Sequence, residues 1–166
     1  MRLMLLALLG VIGRALFRGR QLPANRPALF RGRGAVVCLG ASTVQGNVSY
    51  NFVDELARRL PDRTFVNAGI NGDTTEGMLQ RLDRTVPNGT SAVILQPGGN
   101  DRRKGSPDRT SEIQSRLKAR GIPVIMIANG TFWGLPHQPD GQHLTPEGYH
   151  MLAEHVASQV AGVIGR

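Results

Sequence analysis

The sequence predicts an α/β domain of three layers, α/β/α, built on a parallel sheet of four to five strands. Two observations predict it. Short runs such as AVVCL and SAVIL are continuously apolar instead of alternating, as strands covered on both faces are. Between these runs lie segments with apolar residues at helical spacing, so strands and helices alternate along the chain. A third observation concerns position: Gly, Ser, Asn and Asp collect just after the apolar runs, at the carboxyl ends of the strands, where open parallel sheets carry their sites.

The elements follow in order. Residues 35–39 form the first strand, which stops at Gly40. Residues 49–60 read as a helix, with Phe52, Val53, Leu56 and Leu60 on one side and Pro61 beyond its end. Residues 64–67 form the second strand and residues 75–82 a short helix. The third strand, 91–95, is closed by Pro97-Gly98-Gly99. A helix over 107–120 turns Ile113 and Leu117 inward and stops at Gly121. The fourth strand spans 123–128. The last helix starts at Thr145-Pro146, with Thr as N-cap and Pro in the first turn, and runs to about Val163. Its apolar face is expected to hold Met151, Leu152, His155, Val156 and Val160.

The chain has 166 residues, a length that suits one domain. Hydrophobic residues make up 40%, which excludes wholesale disorder. A single cysteine, Cys38, excludes an internal disulfide framework and a cysteine-rich metal site. The net charge of +8 points toward nucleic acid or an anionic membrane until its location is considered. Residues 1–34 hold seven arginines and no acid, whereas residues 35–166 hold 13 Lys and Arg against 12 Asp and Glu. The basicity therefore belongs to a leader and not to the body. Two domains result: an apolar, arginine-rich leader and linker, 1–34, and a globular domain, 35–166.

The leader opens with the apolar run Leu3–Gly13, too short to span a bilayer. It fits a signal-peptide core, an uncleaved anchor, or an interfacial helix whose arginines meet anionic headgroups. The expectation is membrane association or export through residues 1–20, with a cytoplasmic location as the alternative. Nucleic-acid binding is not expected, because aromatic residues amount to only 5% and the body is nearly neutral.

Four polar blocks follow the strands: Gly40-Ala41-Ser42-Thr43, Asn67-Ala68-Gly69-Ile70-Asn71-Gly72, Gly98-Gly99-Asn100-Asp101 and Asp140-Gly141-Gln142-His143. Acyl transfer needs a nucleophile, a base, a group that orients the base, and donors for the oxyanion. Ser42 sits on a strand-to-helix turn that can present its hydroxyl. His143 is the candidate base, and Asp140, three residues earlier, can fix its tautomer. The Ser42 and Gly69 backbone N–H groups and the Asn100 amide can serve the oxyanion. Each block alone is an ordinary turn sequence. Their joint occurrence, in this order and at these places, is what carries the reading.

These blocks resemble those of the SGNH hydrolase superfamily, the GDSL-type esterases and lipases, over residues 35–162. The resemblance implies a flavodoxin-like fold and metal-free serine hydrolysis of acyl esters. It implies Ser42 as nucleophile, His143 as base, Asp140 as its orienter, and an oxyanion hole of Ser42, Gly69 and Asn100. Expected substrates are small-molecule, lipid or glycan acyl esters, including thioesters and carbohydrate O-acetyl groups. Two departures stand out. Ala41 replaces the usual Asp of the first block. Only 39 positions separate Asp101 from Asp140, where the family usually adds a helix and a fifth strand. That shortening keeps open a catalytically degenerate lipid- or glycan-binding module of the same fold. A phosphate-binding flavodoxin-like protein is a rival that would not need the late Asp-x-x-His pair. Phe132 and Trp133, in the same stretch, fit either a substrate pocket or packing across the missing element. Arg102, Arg103 and Lys104 beside Asn100 fit either an anionic-substrate site or a solvated turn.

Overall fold

The structure, a computed structural model, describes residues 34–47 and 49–165. The predicted leader, 1–34, lies outside the described residues except for Gly34. No helix among the described residues is long and apolar enough to cross a membrane.

Four parallel strands form the sheet: β1 Val36–Gly40, β2 Phe65–Gly69, β3 Ala92–Gln96 and β4 Val124–Met126, in the order β2-β1-β3-β4. The helices are α1 Ser42–Gln45, α2 Phe52–Arg59, α3 Thr75–Gln80, α4 Leu82–Thr85, α5 Asn100–Lys104, α6 Thr110–Ala119 and α7 Pro146–Ile164, with a 3-10 turn at Asn129–Phe132. The three-layer prediction holds, and among the described residues the sheet has four strands, the lower end of the predicted range.

The continuous apolar runs have the predicted cause. In β1, Val36 and Cys38 point into one core while Val37 and Leu39 point into the other; in β3, Ala92 and Ile94 oppose Val93 and Leu95 in the same way. The first core packs α2 and α7 on the sheet through Phe52, Leu56, Leu152 and Val156, all fully buried. The second packs α3, α4 and α6 through Met78, Leu82, Ile113 and Leu117. Burying one such side chain contributes about 1.5–3 kcal/mol relative to leaving it in water.

Helix boundaries follow local capping. Asn51 caps α2, accepting the Asp54 N–H at 2.9 Å, so the helix starts at Phe52, three residues after the predicted start at 49. Thr145 caps α7 as predicted, accepting the Gly148 N–H at 3.1 Å, with Pro146 at the first position. The buried face of α7 is Tyr149, Leu152, Ala153, Val156 and Val160; Met151 and His155 are exposed, a correction to the expected face. Both lie at the rim of the stripe, where a spacing of three or four residues does not separate buried from bordering positions.

One buried ion pair ties the second core to the end of β1. Arg81, 5% exposed, donates from Nε to Asp73 Oδ2 at 2.9 Å and from Nη2 to the Gly40 carbonyl at 3.2 Å. Removing one partner of such a pair strands the other charge in a poor solvent. Arg81→Ala is therefore expected to cost about 3–5 kcal/mol in denaturant unfolding. A loss below about 1 kcal/mol would show that the pair contributes no more than a surface bridge.

Candidate active site

The strand order places β1 beside β3, and the chain leaves β1 toward β2 on one side and later returns past it to β3. That reversal opens a crevice at the carboxyl ends of β1 and β3. Ser42 stands two residues beyond the end of β1, and Asn100 four beyond the end of β3. An open cleft of about 250 Å³ lies past the carboxyl ends of β1 and β2, its lining including Ser42, Gln45, Asn71, Gln138, His143 and Tyr149, while Asn100 stands outside that lining beyond the end of β3.

Ser42 is the first residue of α1. At that position a backbone N–H has no partner one turn earlier within the helix, so it is free to serve a ligand. The turn is tight because two glycines let backbones meet. A Cβ on Gly40 would lie 2.4 Å from Val44 Cγ2, and one on Gly69 would lie 2.0 Å from the Gln45 N. Gly69 thus brings the end of β2 directly against the helix that Ser42 begins.

His143 reaches the cleft with no fifth strand among the described residues. Residues 137–144 fold back as a small hairpin closed by an antiparallel bridge between His137 and Leu144. The Gln138 N–H donates to the His143 carbonyl at 2.7 Å, and the Thr145 N–H donates to the Pro136 carbonyl at 3.0 Å. The Gln138 side chain pins the loop further, donating to the Leu144 carbonyl at 2.9 Å and to the Tyr50 hydroxyl at 3.2 Å. The shortened segment therefore costs a strand but keeps a support for the imidazole.

Within that hairpin Asp140 and His143 are joined. Asp140 Oδ2 lies 2.5 Å from His143 Nδ1, and Oδ1 accepts the backbone N–H groups of Gln142 and His143, both at 2.9 Å. The imidazole hydrogen bond, reinforced by the two backbone amides, holds the Asp140 carboxyl well below the usual carboxylate range. An ionised carboxylate only accepts, so Nδ1 carries a proton, and in the neutral imidazole the lone pair is then on Nε2. That is the tautomer a general base requires. Tyr149, largely buried at the floor, has its phenol pushed up to about 12 by burial, and so stays neutral.

The remaining predicted donors have partners already. The Asn100 amide donates to the Asp73 carbonyl at 2.7 Å through Nδ2, which leaves its second N–H uncommitted by that bond. The Gly69 N–H donates to its neighbour Asn67 Oδ1 at 3.0 Å, so an oxyanion at this position must share or displace that acceptor. Asp101, the last residue of the third block, is buried and accepts the Thr75 N–H at 2.9 Å, anchoring the start of α3.

Ser42 and the Asp140–His143 pair are thus brought to one cleft, with Gly69 packed behind Ser42 and Asn100 at the neighbouring strand end. The other histidines lie elsewhere: His137 Nδ1 is 2.7 Å from the Leu135 carbonyl, His150 pairs with Glu55 at 3.0 Å, and His155 meets Gln159 at 2.8 Å. Neither aromatic of the shortened segment lines the cleft. Phe132 packs on the first core, while Trp133 is 86% exposed. Gln45, Gln138 and Tyr149 are not singled out from sequence, and Asn71 appears there only as a member of the second block. Gln45 and Gln138 stand two residues from a motif, and side chains of this kind line many turns. Asn100 itself begins a helix, α5, that its Gly-Gly-Asn-Asp turn signal conceals. Arg103, on that helix, hydrogen-bonds both Asn100 Oδ1 and Gln142 Oε1.

A comparison with known families matches residues 38–162 to the GDSL-like lipase/acylhydrolase family. Esterase TesA of Pseudomonas aeruginosa is 30% identical over 117 residues, covering 64% of this chain and 56% of that protein. The chain thus spans little more than half the length of that curated relative. Among solved structures, a lipase/acylhydrolase from Enterococcus faecalis superposes with a TM-score of 0.53 at 23% identity, covering 78% of this chain and 96% of that one. AlinE4, an esterase of the SGNH-hydrolase family, does so with a TM-score of 0.51 at 20% identity, covering 80% and 75%. At these identities the two structures speak to the fold alone.

Proposed function

The chain belongs to the GDSL-like lipase/acylhydrolase family, and on that footing we propose that it hydrolyses acyl esters through Ser42, His143 and Asp140. The observation that carries this reading is the placement of Ser42 and His143 on one cleft, with Asp140 bonded to the far nitrogen of the imidazole. His143 Nε2 takes the Ser42 hydroxyl proton as Oγ attacks the ester carbonyl carbon. The charge that forms on the carbonyl oxygen is met by the Ser42 N–H and the free N–H of the Asn100 amide, with Gly69 as third donor. Each such donor is worth about 3–4 kcal/mol in the transition state. The imidazolium then returns its proton to the departing alcohol, leaving an acyl group on Ser42. Water, deprotonated by the same imidazole, attacks the acyl carbonyl and releases the carboxylic acid.

The cleft's lining favours short acyl groups. Gln45, Asn71 and Gln138 are polar, and no apolar tunnel adjoins Ser42 among its lining residues. Acetyl and similarly short esters of polar alcohols fit such a surface better than long lipid chains. The competing reading, a non-catalytic binding module, drew on the shortened segment before Asp140. The hairpin that carries His143 speaks against it.

The test is turnover of a series of p-nitrophenyl esters, from acetate to long acyl chains, before and after treatment with a fluorophosphonate. Turnover is expected to be greatest for the shortest acyl groups and to disappear as the reagent is incorporated. Turnover that survives full incorporation would exclude a serine mechanism, and a long-chain optimum would exclude the short-acyl reading.

A further inference from the structure

We propose that Arg103 is a positioning residue that locks the Asn100 amide in its oxyanion-binding orientation and ties it to the Asp140–His143 hairpin. The proposal rests on the serine-hydrolase reading of the cleft.

Asn100 is 5% exposed, and its amide has two ends to satisfy. Nδ2 donates to the Asp73 carbonyl at 2.7 Å, which takes one of its two hydrogens. Oδ1 accepts from the Arg103 Nη2. With a carbonyl on the nitrogen and a guanidinium on the oxygen, a flip of the amide would set acceptor against acceptor and donor against donor. The remaining Nδ2 hydrogen is therefore held in one direction. The cation on Oδ1 also draws electron density from the amide, which makes that hydrogen a better donor to a developing oxyanion.

The other arm of the guanidinium, Nη1, donates to Gln142 Oε1. Gln142 stands between Asp140 and His143 and gives its own backbone N–H to Asp140. One planar fork thus spans the strand end that supplies an oxyanion donor and the hairpin that supplies the base. A lysine, a single point of charge on a flexible stem, does not reproduce two bonds in fixed directions. The neighbouring Lys104 binds the Gly72 carbonyl instead, and α5 ends at Gly105 with all three of its basic residues in its last turn. A merely solvated helix end would leave Arg103 directed at water. Its two site acceptors distinguish it.

The experiment compares wild type, Arg103→Ala, Arg103→Lys, Asn100→Ala and the Arg103→Ala/Asn100→Ala double variant on p-nitrophenyl acetate. Arg103→Ala is expected to lower kcat about tenfold with KM little changed, as loss of one charge-assisted hydrogen bond would. Arg103→Lys recovers part of the loss, added guanidinium ion restores activity to Arg103→Ala, and once Asn100 is gone Arg103→Ala costs only the smaller part that its bond to Gln142 contributes. Wild-type kcat in Arg103→Ala, or an undiminished tenfold loss in the Asn100→Ala background, overturns the proposal. Both results leave the serine mechanism standing so long as wild-type turnover requires Ser42. If wild type turns over no ester, the serine reading fails, and the side-chain amide NMR signals of Asn100 decide the positioning. They shift on Arg103→Ala if the guanidinium holds the amide, and their staying in place overturns it.

Discussion

Alanine at Ser42 is expected to lower kcat by about 10⁴-fold or more, with KM nearly unchanged. In barrier terms this is at least about 5 kcal/mol. The reason is chemical. Without Oγ no acyl-enzyme forms, and water must attack an ester that only the oxyanion donors and binding contacts still assist. Fold and cleft survive the change. Ser42 is the first residue of α1, where alanine is tolerated, and its backbone N–H remains. An unchanged melting temperature should therefore accompany the loss. Retention of more than about a tenth of wild-type kcat would remove Ser42 from the chemistry, since no charge relay or binding role gives so small an effect at a nucleophile.

His143→Ala is expected to cost about as much, because no other base stands among the described residues that line the cleft. The two changes should not add: the double variant falls no further than either single one, as residues that act as one unit behave. Asp140→Ala should cost less. Its carboxylate fixes a tautomer and supports an imidazolium, but it is 43% exposed, and water can take over part of both tasks. The sign of its pH dependence is definite. A carboxyl held below the usual range stays ionised as the pH falls through that range, so Asp140 contributes no acid limb there. An acid limb in kcat/KM that persists in Asp140→Ala belongs to another group. If His143→Ala kept the activity that Ser42→Ala lost, His137 or a bound water would have to act as base, and the hairpin's role would be purely structural.

The core was readable from sequence because the physics that builds it is repetitive. Val36 to Leu39 and Ala92 to Leu95 are apolar at every position, and only a sheet covered on both faces asks for that. Thr145-Pro146 marks the start of α7 through two independent local signals, a side-chain cap and a fixed φ. The candidate site was readable where it depends on the strand ends, since Ser42, Gly69 and Asn100 follow from where strands stop. What lay beyond reading depends on contacts between distant segments. The support of His143 is a hairpin whose bonds join Gln138 to Tyr50 and to Leu144, and no periodicity encodes it. Arg103 was open between an anionic-substrate site and a solvated turn because a run of three basic residues looks the same in both. Only its two acceptors, 3 and 39 residues away, separate them. Asn100 and Asp101 follow a Gly-Gly turn signal strong enough to hide the short α5. The Met151 and His155 misplacement has the same root: helical spacing locates a stripe but not its edges.

In the proposed chemistry Ser42 is a nucleophile activated by His143. The measurement that reaches it most directly is mass-spectrometric mapping of the residue modified by a fluorophosphonate, in wild type and in His143→Ala. One adduct is expected, on the peptide bearing Ser42, with its near absence in His143→Ala over the same reaction time. An adduct on any other residue, or equal labelling of Ser42 in both proteins, would contradict it.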